Sequence, residues 1–215
     1  MALATQLANV QDKFDREAPD QVKRAINNSR SEVSTTFNRG AAIQEGATLP
    51  AFHLSNPSGG KTDSADLLAK GPILITFYRG GWCPFCNLAL RDLQLNLDAF
   101  KAKGITLVAI SPELPDQSLS TAEKNELKFI VLSDVGNKFA RQLGIVWKQP
   151  DTLRPVFKAF GNDLQQHNGD DSFEVPVPCT LLVDQKGVVR NAHMEPDFTK
   201  RLDASVALTW ADALQ

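Results

Sequence analysis

The segment over residues 77–86 constrains the fold more than any other part of the chain. Its sequence, FYRGGWCPFC, contains two cysteines separated by two residues. The apolar run 73–78, rich in β-branched and aromatic residues, lies between a Gly-Pro pair and a Gly-Gly pair and predicts a buried strand. From Phe85 to Phe100, apolar residues recur every three or four positions and predict a helix that ends at Gly104. The cysteines therefore lie where a buried strand turns into a helix.

The rest of the chain beyond residue 45 alternates apolar runs with helical patterns. This order predicts an α/β fold, with a mixed central sheet and helices on both faces. Ser120 and Glu123 have the spacing of a capping box, and the proline-containing segment 145–177 is predicted to be an irregular insertion. The other predicted elements are strands over 105–110 and 129–132, helices over 120–128, 137–143 and 198–214, and a hairpin formed by 180–183 and 188–193.

The first 45 residues follow a different pattern. Apolar residues from Leu3 to Phe14 recur at steps of four, three and four, which predicts an amphipathic helix, and a second short helix is predicted after Pro19. The chain thus divides into an N-terminal helical extension over 1–45 and a main domain over 46–215. We expect the extension to pack on the main domain; a dimerisation arm and a frayed tail are the alternatives.

Composition limits the class of protein. The chain has 23 Lys and Arg against 25 Asp and Glu, so it offers no basic excess for nucleic acid. No apolar run approaches the roughly 18 residues of a membrane span. Three cysteines in 215 residues are too few for a disulfide-stapled secreted scaffold. The first residues lack the basic start and unbroken apolar stretch of a secretion signal, so we expect a cytoplasmic protein.

The positions of Cys83 and Cys86 predict different roles for the two thiols. Cys83 should stand at the start of the helix, with Pro84 at the first helical position. Unpaired N–H groups and the helix dipole would lower the pKa of a thiol at that place. Cys86 should lie on the same face, one turn deeper and within disulfide reach. An exposed attacking thiol followed by a shielded second thiol is the arrangement that reversible redox chemistry needs.

Three other uses of the cysteine pair stay open. A zinc site would need Cys179 together with His167 or His193, a spacing that no zinc motif explains. The two cysteines could also be small buried hydrophobic residues, or they could form a structural disulfide, which a reducing cytoplasm disfavours. We favour redox chemistry, with no metal site. The sequence also has no glycine-rich loop that would hold a nucleotide cofactor.

Residues 82–86, directly after an apolar strand, resemble the W-C-x-x-C motif of the thioredoxin superfamily. The surrounding sequence, FYRGGWCPFCNLALRDLQ, is similar to the peroxiredoxin-like branch of the alkyl hydroperoxide reductase/thiol-specific antioxidant (AhpC/TSA) family. Residues 47–54 resemble the first strand of that family, and 180–187 resemble its T-x-x-x-D-x-x-G strand and turn. The resemblance implies a thioredoxin-like fold and thiol-based reduction of peroxides or disulfides.

The resemblance also implies a contact surface for a thiol partner. Pro178 matches the cis-proline that faces the cysteine pair in the superfamily, and Val177 before it would offer backbone groups to an extended partner. A trans proline at the start of a strand is the alternative. Trp82 and Pro84 would form an apolar contact surface beside the nucleophile. Cys179 would then lie near the pair as a buried bystander, with a third redox partner as the alternative.

The sequence departs from the typical peroxiredoxin motif P-x-x-x-T-x-x-C. Thr76 stands at the proline position and Gly80 stands at the threonine position. The strand that usually brings an arginine to the site has Pro178 before it and no arginine in its first residues. Arg79 is the nearest candidate to stabilise negative charge at the cysteines. A solvated charge at a strand end is the alternative role for Arg79.

We expect a thiol-dependent peroxidase that acts on hydrogen peroxide or organic hydroperoxides. Cys83 would be the peroxidatic nucleophile, and Cys86 would resolve its sulfenic acid to a Cys83–Cys86 disulfide. A thioredoxin-like or small-thiol reductant would restore both thiols. A thioredoxin-like oxidoreductase acting on disulfides is the first alternative, and a non-enzymatic redox sensor or binding module is the second. No bound cofactor is expected, no nucleic acid or membrane partner is expected, and a homodimer is a candidate assembly.

Overall fold

The computed structural model describes residues 1–214. The helices are α1 Leu3–Glu17, α2 Asp20–Thr36, α3 Ser64–Leu68, α4 Pro84–Leu95, α5 Leu97–Ala102, α6 Pro115–Lys124, α7 Lys138–Gln142, α8 Arg154–Ala159, α9 Leu164–Asn168 and α10 Ala204–Asp212. The strands are β1 His53–Ser55, β2 Lys61–Asp63, β3 Ile73–Phe77, β4 Thr106–Ser111, β5 Ile130–Ser133, β6 Val146–Lys148, β7 Glu174–Pro176, β8 Cys179–Val183 and β9 Val189–Met194. Short 3-10 turns occupy Arg39–Ala41 and Asp151–Leu153. Among the described residues, no helix combines the length and the apolar character needed to cross a membrane.

The main sheet has the strand order β2-β1-β5-β4-β3-β8-β9. Strands β3, β4 and β5 run parallel, whereas β8 pairs antiparallel with β3 and forms a hairpin with β9. The apolar run that precedes the cysteines therefore becomes β3, which lies between β4 and β8. The predicted mixed sheet is confirmed.

Alternate side chains of β3 point to opposite faces of the sheet, as a strand requires. Ile73, Ile75 and Phe77 pack in one cluster with residues of α3 and α7. Leu74 packs in another cluster, with Phe100 and other residues of α4, α5 and α10. Both faces of β3 are therefore covered by helices, which explains why its sequence is continuously apolar.

The two N-terminal helices pack near the start of α4. The predicted helix from Leu3 is present as α1, whereas α2 runs over 17 residues and is longer than the short helix predicted. Leu3 and Leu7 are buried in the same cluster as Cys83, Cys86 and Leu90. The N-terminal segment therefore forms part of the surroundings of the cysteine pair.

Three predicted helices have different limits. The helix after the cysteines is divided at Asn96 into α4 and α5, and the Asn96 Nδ2 donates to a backbone carbonyl of α4 at 2.8 Å. The capping box of Ser120 and Glu123 is wrong: α6 begins at Pro115, a residue suited to the first helical position, so Ser120 lies inside the helix. The last helix begins at Ala204 rather than at residue 198. Its start is capped by Asp203, whose side chain accepts from the N–H of Ser205, the second helical residue.

The segment 145–177 is not irregular. Its two ends pair as β6 and β7 in a small antiparallel sheet, and α8 and α9 lie between them. The prolines misled the prediction because Pro150 and Pro155 stand at the starts of helical turns, where proline is tolerated. A small apolar cluster consists of Leu153, Phe157, Leu164, Phe173 and Val175 and packs against Trp82.

A substitution of Gly144 tests the contact between the N-terminal segment and the main domain. Its φ is +68°, and a Cβ there would lie 2.5 Å from the backbone oxygen of Ala41. We expect Gly144→Ala to lose about 1 to 2 kcal/mol of unfolding free energy through the left-handed backbone and about 1 to 3 kcal/mol more through overpacking. Urea unfolding measures both.

Gly161→Ala is the matched control. Gly161 also has a positive φ, +75°, but no atom lies within 4 Å of the position of an added Cβ. It should therefore show the backbone cost alone. Equal losses in the two variants would mean that the close approach of Ala41 does not occur in solution.

Candidate active site

The two cysteines lie between β3 and α4, as predicted from the sequence. Cys83 is the residue that precedes the first turn of α4, Pro84 occupies the first helical position, and Cys86 follows within the first turn. All cysteines are free thiols, and the Cys83 and Cys86 thiols lie 3.1 Å apart. A disulfide between them requires only a small movement of the side chains.

The turn before Cys83 requires glycine at two consecutive positions. Gly80 has a φ of +145°, and a Cβ there would lie 2.3 Å from the Trp82 Nε1 and 2.9 Å from the Glu113 Oε1. A Cβ on Gly81 would lie 2.1 Å from the Thr121 Oγ1. The Gly81 N–H donates to both carboxyl oxygens of Glu113, each at 3.0 Å. The glycines thus allow the turn to approach a buried acid.

Both thiols are buried, which corrects the prediction of an exposed attacking cysteine. The exposed fraction is 1% for Cys83 and 0% for Cys86. The apolar cluster around them includes Leu3 and Leu7 of α1 and Phe198 of the 195–203 loop, which joins β9 to α10. Sequence analysis missed this burial because the cover comes from segments remote from the motif.

Two arginines lie beside the thiols. The Arg201 Nη2, from the 195–203 loop, lies 3.0 Å from the Cys86 Sγ and 3.9 Å from the Cys83 Sγ. The Arg79 guanidinium lies 4.8 Å from the Trp82 ring centre and 4.2 Å from the Phe198 ring centre. Arg79 also donates to the Gln149 Oε1 at 2.7 Å, and only 4% of it is exposed. It is therefore not a solvated strand-end charge.

Arg201 was not identified from the sequence. It lies in a loop that forms neither helix nor strand, 118 positions after Cys83. No motif connects the two positions. The only sequence signal is the basic pair Lys200-Arg201 shortly before the last helix, and such pairs are common on protein surfaces. Only the three-dimensional arrangement reveals the contact.

The pKa directions of the two thiols are the reverse of those expected. Burial, reinforced by the neighbouring Cys86, raises the pKa of Cys83 well above its usual range. Burial also acts against a thiolate at Cys86, but the hydrogen bond from Cys83 and the charges of Arg201 and Arg79 outweigh it and lower the pKa of Cys86. These directions favour the thiol at Cys83 and the thiolate at Cys86. The side chain of Cys83 makes no hydrogen bond to the helix N-terminus, so the helix start does not stabilise a Cys83 thiolate as predicted.

The predicted partner surface is only partly accessible. No peptide bond among residues 1–214 is cis, so the cis assignment for Pro178 is wrong. The chain instead continues in a trans, extended conformation from β7 through Val177 and Pro178 into β8. The Val177 N–H donates to the Ile145 carbonyl at 2.8 Å, and the Pro178 carbonyl accepts from the Glu195 N–H at 3.0 Å. These backbone groups are therefore already paired within the chain.

The apolar surface predicted beside the nucleophile is divided. Pro84 is exposed, whereas Trp82 is half-buried and packs on Phe157 at 5.1 Å between ring centres. Cys179 is buried in β8, and burial alone raises the pKa of its thiol. In the described part of the chain, no three His, Cys, Asp or Glu side chains are grouped as metal ligands.

A sheet that delivers two adjacent thiols to the start of a helix defines the thioredoxin-type thiol oxidoreductases. The sequence model of the AhpC/TSA family matches residues 46–192. The chain belongs to this family and is a peroxiredoxin-like oxidoreductase.

Individual relatives agree with this assignment. The chain is 28% identical over 187 residues to chloroplastic peroxiredoxin Q of Populus jackii, covering 86% of this chain and 75% of that protein. It is 24% identical over 168 residues to peroxiredoxin Bcp of Escherichia coli K12, covering 78% and 95%. Among solved structures, peroxidoxin BcpB of Mycobacterium tuberculosis has a TM-score of 0.64 at 19% identity, covering 80% of this chain and 99% of that one. Reduced Prx3 of Vibrio vulnificus has a TM-score of 0.63 at 20% identity, covering 79% and 99%. These structures share the fold.

Arg201→Met should raise the pKa of Cys86, because it removes the nearest positive charge. A hydrogen bond to a charged group contributes about 1.5 to 3 kcal/mol, so we expect a rise of about 1 to 2 in the pKa. The ultraviolet absorbance of the thiolate, followed against pH, measures it. Arg190→Met is the control, since Arg190 pairs with Asp184 in the hairpin turn. An unchanged titration in Arg201→Met would show that Arg201 does not hold the thiolate.

Proposed function

We propose that this protein reduces small peroxides through the Cys83–Cys86 pair and is a thiol-dependent peroxidase. The observation that carries the proposal is a buried pair of thiols, 3.1 Å apart, with the Arg201 guanidinium 3.0 Å from the Cys86 sulfur, an arrangement that lowers the pKa of Cys86. A pair enclosed in this way admits a small electrophile more readily than a folded protein. The substrates would be hydrogen peroxide or organic hydroperoxides, as the names of the relatives suggest.

In the first step, Cys83 attacks the peroxide. The Cys86 thiolate accepts the proton of the Cys83 thiol, with which it is already hydrogen-bonded. The Cys83 sulfur then bonds to one peroxide oxygen, the O–O bond breaks, and the leaving oxygen takes up a proton and departs as water or an alcohol. Arg79 stabilises negative charge at Cys83, because its positive charge lowers the pKa of both thiols.

In the second step, Cys86 attacks the Cys83 sulfenic acid and releases water. The product is the Cys83–Cys86 redox disulfide, which a thioredoxin-like or small-thiol reductant returns to two thiols. The exposed Pro84 and the half-buried Trp82 are the contact residues that a reductant meets first. Val177 and Pro178 would contact a reductant only if their internal hydrogen bonds opened.

Two arginines take the place of the residues that this chain lacks. Gly80 stands at the threonine position of the family motif and Thr76 at its proline position. Gly80 has no side chain with which to hold a peroxide, and the Thr76 hydroxyl is hydrogen-bonded to the Thr180 hydroxyl at 3.2 Å. Arg79 and Arg201 instead supply donors to the reacting atoms.

Thiol–disulfide exchange with other proteins is the second candidate function. It is favoured by the absence of the threonine of the family motif and by the C-x-x-C spacing. The burial of both thiols opposes it, since an incoming protein disulfide would have to displace the 195–203 loop or α1. A cytoplasmic location and a homodimer remain predictions.

Trapping the first product tests the proposal. After one equivalent of hydrogen peroxide, Cys86→Ser should accumulate a sulfenic acid at Cys83, because the resolving thiol is missing. The native protein should instead form the Cys83–Cys86 disulfide. Dimedone labelling with peptide mass mapping measures both. Cys179→Ser is the control and should behave as the native protein does.

Two outcomes would contradict the proposal. Unmodified thiols in every variant would exclude a peroxidase. A sulfenic acid at Cys86 in Cys83→Ser, with none at Cys83 in Cys86→Ser, would reverse the roles of the two cysteines. The charge on the reduced pair by itself favours that reversed order, so both single variants are needed.

A further inference from the structure

Glu113 is a buried acid that the reaction described above does not use. It lies two residues after the end of β4 and is 1% exposed. Its two carboxyl oxygens accept from the Gly81 N–H at 3.0 Å, and the hydroxyls of Ser111 and Thr121 lie 3.4 Å from its Oε2. Its carboxyl thus contacts the turn that leads into the cysteine pair.

Hydrogen bonds fix the position of Glu113 relative to the start of α4. The Gly81 carbonyl accepts from the Asn87 Nδ2 at 2.8 Å, and the Asn87 Oδ1 accepts from the Asn125 Nδ2 at 3.0 Å. The Asn125 Nδ2 also donates to the Thr121 carbonyl at 2.9 Å, and the Thr121 hydroxyl donates to the Glu113 Oε2 at 3.4 Å. The result is a closed ring of hydrogen bonds beneath the turn. A change in the charge of Glu113 therefore acts within one rigid unit.

Among residues 1–214, no cation neutralises Glu113. In the described chain, its nearest basic group is the His167 Nδ1 of α9, 3.7 Å away, and burial lowers the pKa of this histidine, so it is neutral near pH 7. The other titratable groups facing the carboxyl are Tyr78, at the end of β3, and Cys86, in α4. Burial, with a contribution from the charge of Cys86, raises the pKa of Glu113 to about 7. The carboxylate and the thiolate therefore disfavour each other.

We infer that Glu113 is a positioning residue that balances the charge of the cysteine pair. It holds a proton while the pair carries a thiolate, and it releases the proton when the pair becomes a disulfide. The inference rests on the proposed function for its oxidant, a peroxide.

The proton count of the reaction agrees with this role. A reduced pair with a thiol at Cys83 and a thiolate at Cys86 holds one proton and one negative charge. When it reduces hydrogen peroxide, the O–O bond breaks, the S–S bond forms, and two electrons pass from the sulfurs to the oxygens. Two water molecules result, which requires one proton more than the thiol and the peroxide provide. Ionisation of Glu113 at the same time supplies part of this proton near pH 7, so negative charge passes from the cysteine pair to the carboxyl.

Proton uptake during oxidation tests the inference. The reduced protein is mixed near pH 7 with one equivalent of hydrogen peroxide in a weakly buffered solution that contains an indicator dye. The native protein should take up clearly less than one proton per disulfide, because Glu113 releases its own. Glu113→Gln keeps an acceptor for the Gly81 N–H but cannot ionise, so it should take up close to one proton. Equal uptake by the two proteins would overturn the inference.

Asp92→Asn is the matched control. Asp92 is a half-buried acid in the same helix as Cys86, but its carboxyl accepts from the Ala204 N–H at 2.8 Å. It therefore caps α10 and does not face the cysteines. This variant should take up as few protons as the native protein. If Asp92→Asn also took up close to one proton per disulfide, the effect would not be specific to Glu113, and the inference would fail.

The pH titration of the carboxyl gives a second readout that a purely structural role would not change. The Cys86 thiolate raises the pKa of Glu113, whereas a disulfide carries no charge that could do so. The infrared band of the protonated Glu113 carboxyl should therefore titrate at a higher pH in the reduced protein than in the oxidised protein, and its loss in Glu113→Gln identifies the band. Equal pKa values in the two redox states would contradict the inference.

Two further measurements keep the test decisive. If Glu113→Gln does not fold, the infrared difference spectrum of the native protein, reduced minus oxidised, should still show a protonated carboxyl that disappears on oxidation. Its absence would overturn the inference. If peroxide does not react, the azo oxidant diamide, which accepts two electrons and two protons, forms the same disulfide with the same proton count. Failure of the proposed peroxidase is thereby separated from failure of the role of Glu113.

Discussion

The contact between a buried thiolate and two guanidinium groups is the interaction on which the site depends. Burial alone would keep both Cys83 and Cys86 protonated and unreactive. The hydrogen bond from Cys83 and the charge of Arg201 together reverse this for Cys86, and Arg79 adds a second positive charge. Arg79 in turn is almost fully buried, and its own pKa is lowered by burial and raised by the two cysteines. The thiolate and the arginines therefore stabilise each other's charged forms.

This dependence gives a function to parts of the chain outside the cysteine motif. Phe198 of the 195–203 loop packs on Arg79 and on Phe85, while Arg201 of the same loop contacts the sulfurs. Formation of a disulfide removes the negative charge to which Arg201 binds. The contact between this loop and the pair therefore depends on the redox state of the two cysteines.

Local sequence patterns predicted the fold well and the site only in part. The strand before Cys83 and the helix after it follow from apolar periodicity, and the family resemblance supplies the connections between strands. The division at Asn96 and the start of α6 at Pro115 were missed, because a helical pattern does not show where a helix divides or begins. Arg201 and Glu113 were missed for a different reason: they reach the cysteines through the tertiary fold, and no residue spacing encodes such contacts.

The most direct test of this account is the second-order rate constant for oxidation of the reduced protein by hydrogen peroxide at neutral pH. We predict a value at least about a hundredfold above that of a free thiol at matched pH, because preorganised donors of this kind change rates by about 10² to 10³. The rate constant with a protein disulfide should be lower, since the pair is buried. A peroxide rate no faster than that of a free thiol, with rapid reduction of the protein disulfide, would contradict the account.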